Sequence, residues 1–247
     1  MAAAGLAGLA ILAVVAANLL GGASGSPRGS NDNEGTGGAG GSGDGETRTM
    51  AASQDARVAV SGDYRAGAGA DSTLPVGAAR GRNGVFLYRS LIQFEDDWTG
   101  TTRIQRIQLR LTRSGAVRAS RGSSPSTRVM RNTAGRWSEG GGAELSSSNE
   151  VTWVNKPETT AEGSVTFEGP RKSGEEVLVD ITDLYLPLAP EELGGQAVDN
   201  FGITLLAASD DGSPDGDGSV DGDQTNEFQS SDSRNGAPEL VVTYEPE

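Results

Sequence analysis

Cysteine and histidine are both absent from this 247-residue chain. Without cysteine, the chain has no disulfide, no thiol nucleophile and no thiolate metal site. Without histidine, it lacks the usual general base near neutral pH and the commonest ligand for transition metals. These absences remove most hydrolase mechanisms and leave a carboxylate pair or a serine–lysine arrangement, for which Lys156 and Lys172 are the only lysines.

Aromatic residues and positive charges are also scarce. Aromatics make up 5% of the chain, whereas there are 37 glycines, a balance that favours short strands and many turns over a helical core. The 34 acidic residues outnumber the 20 basic ones and give a net charge of −14. Because this charge repels polyphosphate, we expect no nucleic-acid partner.

The N-terminal part of the chain divides into an apolar segment and a polar one. Residues 1–20 carry no charged side chain and, as a helix, would span about 28 Å, close to the thickness of a bilayer core. This hydrophobic helix could be a membrane anchor, a helix packed in an assembly or a cleaved secretory signal, and the three alternatives stay open. Residues 21–56 are rich in Gly and Ser and predict a flexible linker ahead of a folded domain at 57–247.

Apolar and polar residues alternate with the two-residue period of a β-strand in segment 104–112, which a short turn separates from the preceding segment 85–95. We interpret these segments as a β-pair joined by an exposed turn. Similar short segments follow along the chain and predict nine or ten strands in all, which favours an all-β antiparallel sandwich. The region from Ser61 to Ser72, which includes Tyr64, is predicted to be a Gly-rich loop.

The order of several short motifs resembles the DNRLRE domain family, β-sandwich modules of microbial and viral surface proteins and of polysaccharide-acting enzymes. The motifs are RSLIQF at 89–94, IQLRL at 107–111, WSE at 137–139, VTWVNKP at 151–157, VDIT at 179–182, FGI at 201–203 and PELVVTY at 238–244. The resemblance covers residues 57–245 and implies a jelly-roll-like, non-catalytic module, with carbohydrate binding in some members. The segment before the last strand departs from the family pattern, because an acidic insertion precedes it.

Aromatic side chains in exposed loops are the candidates for binding a sugar, because they can stack on a pyranose face beside orienting polar groups. Trp98 is the leading candidate, since it lies in the turn next to Asp96 and Asp97. Tyr64 and Tyr88 are further candidates. Two other aromatics, Trp137 and Trp153, are expected in the core. The partner predicted by this pattern is a polysaccharide or a cell-surface glycan.

The region 209–227 is predicted to be an acidic loop. Asp215, Asp217, Asp221 and Asp223 are spaced around glycines in a manner that resembles a calcium loop, because hard cations bind several oxygens and glycine permits the tight turn. The alternative is a solvated acidic loop that binds no cation.

Taken together, the sequence predicts a non-catalytic, extracytoplasmic module for carbohydrate recognition or adhesion. In this interpretation the N-terminus holds the domain to a membrane or an assembly at a cell or virion surface. The first alternative is a structural protein of a virion or of a cell-surface filament. A polysaccharide-degrading enzyme is the third, with Asp96, Asp97 and Glu139 as the available carboxylates.

Overall fold

A computed structural model describes residues 45–61, 64–68, 71–81, 84–115, 118–119, 125–139, 150–210, 212 and 224–246. These residues form a mostly antiparallel, nearly closed, barrel-like β-sheet. The described strands are β1 (Thr47–Ser61), β2 (Tyr64–Ala68), β3 (Thr73–Gly81), β4 (Gly84–Phe94), β5 (Ile104–Thr112), β6 (Arg118–Ala119), β7 (Ser126–Ala134), β8 (Glu158–Glu168), β9 (Glu176–Asp180), β10 (Ile203–Ala207), β11 (Gln224–Gln229) and β12 (Glu239–Tyr244). One helical turn, α1 (Thr182–Tyr185), and two 3₁₀ turns (Leu186–Leu188 and Glu191–Leu193) lie between β9 and β10.

Strand β1 is long enough to belong to two ladders. Its first residues pair with β12, with Thr47 opposite Thr243, and this ladder continues through β5 to β9. Its later residues pair with β4 and β2, and this second ladder extends through β3 to β11 and β6. The far end of β4 pairs instead with β10, which leads to β7 and β8. A register shift between Ala52 and Gln54 marks where β1 passes from one ladder to the other.

The larger hydrophobic core is built from both ladders. Strands β5, β9 and β12 contribute Ile107, Leu109, Leu111, Val179, Leu240 and Val242, and strands β3, β4, β7, β10 and β11 contribute Leu74, Val76, Ile92, Phe94, Val129, Ile203, Leu205 and Phe228. In β5 these residues alternate with more exposed polar ones, the pattern expected for a strand with one face on a core, whereas in β12 the residue between them, Val241, is also apolar and buried.

A smaller core also packs against β1 and β4. Residues of these strands meet Trp137, Val151 and Trp153 from the segments that follow β7. Both tryptophans are buried, as the sequence analysis predicted. The smaller core therefore fixes the position of segment 136–139 beside β1, a placement on which the functional site depends.

Four features differ from the sequence-based predictions. The two segments interpreted as a β-pair are β4 and β5, which lie in different ladders and share no pairing. Strand β1 begins at Thr47, inside the predicted linker, and β11 begins inside the predicted acidic loop. The backbone of Tyr64 lies in β2 rather than in a loop. Because strand pairing rather than local hydrophobicity holds these segments, their composition gave little sign of it.

The predicted hydrophobic helix at 1–20 and most of the predicted linker lie outside the described residues. Within the described ranges, the helices are all too short or too polar to cross a bilayer.

Candidate functional site

A polar pocket of about 350 Å³ lies where the middle of β1 and the end of β4 meet the segments that follow β7 and precede β10. This volume falls within the range of about 300–1,000 Å³ that is typical of small-ligand sites. The lining residues are Gln54, Gln93, Asp96, Arg136, Trp137, Asp199, Asn200 and Phe201. Four separate segments of the chain therefore supply the pocket.

Amide side chains from neighbouring strands form one wall of the pocket. Gln54 and Gln93 are direct partners across the β1–β4 ladder, and Gln54 Nε2 donates to Gln93 Oε1 at 2.6 Å. The same nitrogen donates to the Trp137 carbonyl at 3.2 Å, and Gln93 Nε2 donates to the Asn200 carbonyl at 3.3 Å. These bonds connect the two strands to both of the adjoining segments, so the wall is positioned before any ligand binds.

Asn200 joins the pocket to the turn that contains the sequence-predicted residues. Its Nδ2 donates to Asp96 Oδ1 at 2.9 Å, to the Phe94 carbonyl at 3.2 Å and to the Tyr185 hydroxyl oxygen at 3.3 Å. Burial raises the pKa of Tyr185 well above its usual range, so its hydroxyl stays protonated and can accept this bond without acquiring charge. Asn200 Oδ1 in turn accepts the N–H of Gly202 at 2.9 Å.

Charged side chains lie at the mouth of the pocket. Arg136, Asp96 and Asp199 are all exposed, whereas Gln93 and Phe201 are half-buried. Guanidinium, carboxylate and amide groups together provide both donors and acceptors, as a ligand with several hydroxyl groups requires. Phe201 adds an aromatic surface beside them.

The structure brings one sequence-predicted site residue, Asp96, into this pocket. Asp97 is exposed nearby in the chain. Trp98 is half-buried, packs against the larger core and meets Tyr185 at a ring-centroid distance of 6.1 Å. Its indole N–H is buried without a hydrogen-bond partner among the described residues. Trp98 therefore packs its turn against the larger core and does not line the pocket.

The two tyrosine candidates lie elsewhere. Tyr88, in β4, is half-buried and its ring is stacked against Phe86 at 6.2 Å. Tyr64 has its backbone in β2. Tyr88 does not line the pocket.

Of the eight lining residues, the sequence analysis named Asp96 alone as a candidate binding residue. Gln54 fell within the predicted linker, and Gln93 lies inside a motif that was interpreted only as a strand. The remaining residues come from irregular segments far from Asp96 along the chain, and no spacing rule predicts that such segments meet. One feature of the sequence could have identified two of these residues. Asp199 and Asn200 directly precede the FGI motif at 201–203, so they lie where the chain turns into a strand.

The proposed calcium ligands Asp215, Asp217, Asp221 and Asp223 all lie outside the described residues. Within the described ranges, no three acidic side chains are grouped so that they could hold a metal ion. A second cavity, of about 510 Å³, lies beside β8 and α1, but its Asp180 is already bonded to Arg106 and Thr182. The pocket at Gln54 and Asp96 is therefore the better candidate.

Comparison with known proteins identifies neither a family nor a function for this chain. A scan against protein-family models finds no match to this chain. A search of curated proteins finds no significant relative. The resemblance to the DNRLRE family therefore stays a prediction from the motifs.

Proposed function

We propose that this chain is a non-catalytic, jelly-roll-like β-sandwich that recognises carbohydrate through the pocket beside Asp96. The observation that supports the proposal best is the combination of amide, guanidinium and carboxylate groups around one cavity of about 350 Å³. Sugars present several hydroxyl groups, each of which both donates and accepts, and such groups complement this lining. The half-buried ring of Phe201 supplies an apolar surface for a sugar face.

The positioning of the lining favours binding over catalysis. The wall residues Gln54, Gln93 and Asn200 are tied to the backbone of neighbouring segments, which limits the entropy lost when a ligand binds. Asp96 is engaged by Asn200 and is thus suited to orienting a hydroxyl group. Since the chain has no histidine or cysteine, the pocket contains neither of these nucleophiles or bases.

In the same proposal, the domain is displayed outside the cytoplasm, with residues 1–20 holding it to a membrane or to other copies in an assembly. In this proposal, the part of the predicted linker that precedes β1 separates the domain from that attachment. The acidic stretch with Asp215, Asp217, Asp221 and Asp223 is proposed to bind calcium, as an accessory to the fold. The uncharged composition of residues 1–20 supports the attachment, and the spacing of the four aspartates around glycines supports calcium binding.

The first test is binding of the full chain to a panel of neutral and acidic polysaccharides by affinity gel electrophoresis. Arg136→Ala and Asp199→Ala each remove an exposed polar group from the pocket mouth, so we expect at least about tenfold weaker retention of the bound polysaccharide with unchanged melting temperature. Arg171→Ala, which removes an exposed arginine elsewhere, is the matched control and should bind normally.

Two results would count against the proposal. If the wild-type chain is retained by none of the polysaccharides, carbohydrate recognition is wrong for this domain. If binding occurs but Arg136→Ala and Asp199→Ala behave like the Arg171→Ala control, the pocket is not the binding site.

A further inference from the structure

Strand β9 lies at the edge of its ladder and has one partner strand, β5, within the described part of the chain. At one end of this pair, the Ile181 N–H donates to the Ile107 carbonyl at 2.9 Å. Because hydrogen-bonded pairs alternate with non-bonded pairs along an antiparallel ladder, the N–H and C=O groups of Leu178 and Asp180 point away from β5. The outer edge of β9 therefore presents backbone donors and acceptors that no described strand uses.

This edge lacks several features that commonly protect an edge strand from pairing with another chain. Natural proteins often place lysine, proline or a bulge on such strands. Strand β9 contains neither of these residues, and its ladder with β5 has no register shift. Its central residue is Leu178, whose side chain is 49% exposed. An apolar side chain thus lies in the open beside the free backbone groups.

The larger core is incompletely covered next to the same edge. Val177 of β9 and Val165 and Phe167 of β8 pack against this core but are only half-buried. Strands β8 and β9 do not pair with each other, and residues of β8 together with Asp180 line the cavity of about 510 Å³. The nearly closed sheet is therefore open along the free edge of β9, where a further strand would cover apolar surface.

Charges on the outer face of this ladder alternate from strand to strand. Arg110 of β5 donates to Glu239 of β12 at 2.6 Å, and Arg106 of β5 donates to Asp180 of β9 at 2.9 Å. A basic strand therefore lies between two acidic ones, and β9, with Glu176 and Asp180, is the last row of this ladder. Opposite charges on neighbouring strands stabilise a sheet, so the strand that best continues the pattern beyond β9 is basic.

The same charges disfavour this chain itself as the occupant. Two copies of β9 paired antiparallel about Leu178 would place Glu176 of each copy opposite Asp180 of the other, and like charges directly opposite are destabilising. The longest segments outside the described residues each carry more acidic than basic side chains: 1–44, 140–149 and 213–223. Charge complementarity therefore favours a strand from a different protein.

We propose that the free edge of β9 binds an extended basic segment of a partner protein, which adds to the sheet as a further strand. Backbone groups of the segment bond to the N–H and C=O groups of Leu178 and Asp180. Arginine or lysine side chains lie opposite Glu176 and Asp180, with an apolar residue between them over Leu178, and the inward-facing residues cover Val177. No residue of β9 lines the polar pocket, so this interaction is independent of carbohydrate recognition.

The probe is a short, end-capped peptide of sequence Thr-Arg-Val-Val-Val-Arg-Thr, added to the full chain at low salt. We expect saturable binding by fluorescence anisotropy. Hydrogen exchange followed by NMR should show that the peptide protects the Leu178 and Asp180 amides, whereas the Val177 and Val179 amides, which face β5, change little. The same peptide with N-methyl groups on the amides that face β9 keeps its charge but cannot pair, and it should not bind.

A pair of variants tests the role of charge. Glu176→Lys places a positive charge opposite a peptide arginine, so we expect at least about tenfold weaker binding. The Glu176 side chain is more than half exposed and lies 3.9 Å from Arg110, so the substitution should leave the melting temperature nearly unchanged. Glu191→Lys, at an exposed position in a 3₁₀ turn, is the matched control and should bind like the wild type.

Three results would overturn the proposal. If the wild-type chain does not bind the peptide, or if the Leu178 and Asp180 amides are already protected without it, the edge is not an open acceptor. If the N-methylated peptide binds equally well, or Glu176→Lys behaves like Glu191→Lys, the attraction is one of net charge and not of strand pairing. If the free chain forms a dimer that protects these amides, the occupant is a second copy. None of these results would alter retention of the chain by polysaccharides.

Discussion

At the residue scale, the buried ion pair between Arg89 and Asp210 is the feature with the clearest energetic consequence. Arg89 Nε and Nη2 donate to the two oxygens of Asp210 at 2.8 and 2.7 Å, and both side chains are almost entirely buried. The guanidinium also lies 4.6 Å from the centre of the Trp153 ring, which joins β4 to the smaller core. Such a pair is costly to break, because the remaining charge stays buried without compensation.

Arg89→Met should therefore lower the free energy of unfolding by about 3–5 kcal/mol, measured by urea denaturation at pH 6. Arg106→Met breaks a similar contact, at 2.9 Å to Asp180, but both partners are about half exposed. This control should cost no more than about 1 kcal/mol. Equal losses in the two variants would show that burial does not set the strength of the Arg89 pair.

At the scale of elements, β4 and β5 show what periodicity can and cannot predict. The alternation in β5 correctly identified a strand with one face on a core, whereas β4 is buried on both faces, with Leu91 in the smaller core and Ile92 in the larger one. Periodicity contains no information about the partner strand, however, and the turn after β4 carries the chain across the core instead of forming a hairpin. Ile92 in β4 and Ile107 in β5 belong to the same core, although their strands lie in different ladders.

The start of β10 also depends on a single backbone position. Gly202 has a φ of +81°, and a Cβ there would collide with the Ile92 carbonyl oxygen where β10 meets β4. Gly202→Ala should cost about 3 kcal/mol or more, since it adds overpacking to an unfavourable φ. Gly174 has nearly the same φ, +79°, with open space around it, so Gly174→Ala should cost only about 1–2 kcal/mol. Urea denaturation measures the free energy of unfolding of both variants, and the difference between them is the cost of the collision at Gly202. Equal losses of stability in the two variants would contradict the collision.

At the scale of the whole molecule, the sequence was sufficient for an all-β antiparallel domain but not for its site. The hydrophobic pattern determines which residues face a core, and this pattern is local. The pocket is assembled from Gln54, Gln93, Arg136 and the 199–201 segment, which meet only because β1 passes between two ladders. The polar first half of β1 resembles a linker until its partner strands are known. Asp96 was found because it lies in an exposed turn, a property that composition does reveal.

Raised carboxyl pKa values also predict how the stability of the whole domain depends on pH. Because the folded-state pKa values of Asp55 and Glu139 lie above those of free carboxyl groups, the folded state binds more protons, and stability falls as pH rises through about 6 and 7. Burial acts to raise the pKa of the Asp180 carboxyl group, but hydrogen bonds from Thr182 and Arg106 outweigh burial and lower this pKa. The stability that ionised Asp180 contributes is therefore lost only in stronger acid. Stability should therefore be greatest near pH 5.

Urea denaturation at pH 5 and pH 8 tests this profile. For the fully buried Asp55, whose Oδ2 accepts the Ser231 N–H, only the part of the rise that lies above pH 5, about 1 pKa unit, is lost between the two conditions, which corresponds to about 1.4 kcal/mol. Asp55→Asn can still accept the Ser231 N–H without bearing charge, so it should reduce the difference by stabilising the domain at pH 8. A wild-type domain that is more stable at pH 8 than at pH 5 would contradict the prediction.

The first and last strands of the domain lie side by side and run in opposite directions, with Thr47 opposite Thr243 and the Tyr244 N–H bonded to the Glu46 carbonyl at 2.8 Å. Both ends of the folded region therefore leave it at one point. A mechanical force that pulls these two ends apart would act parallel to the hydrogen bonds of the β1–β12 ladder. These bonds would therefore break one after another, starting at Thr47 and Thr243. Strands loaded in shear must instead break many bonds together. Under such tension the domain would yield at low force, and it would do so from the β1–β12 ladder, which does not include Gln54.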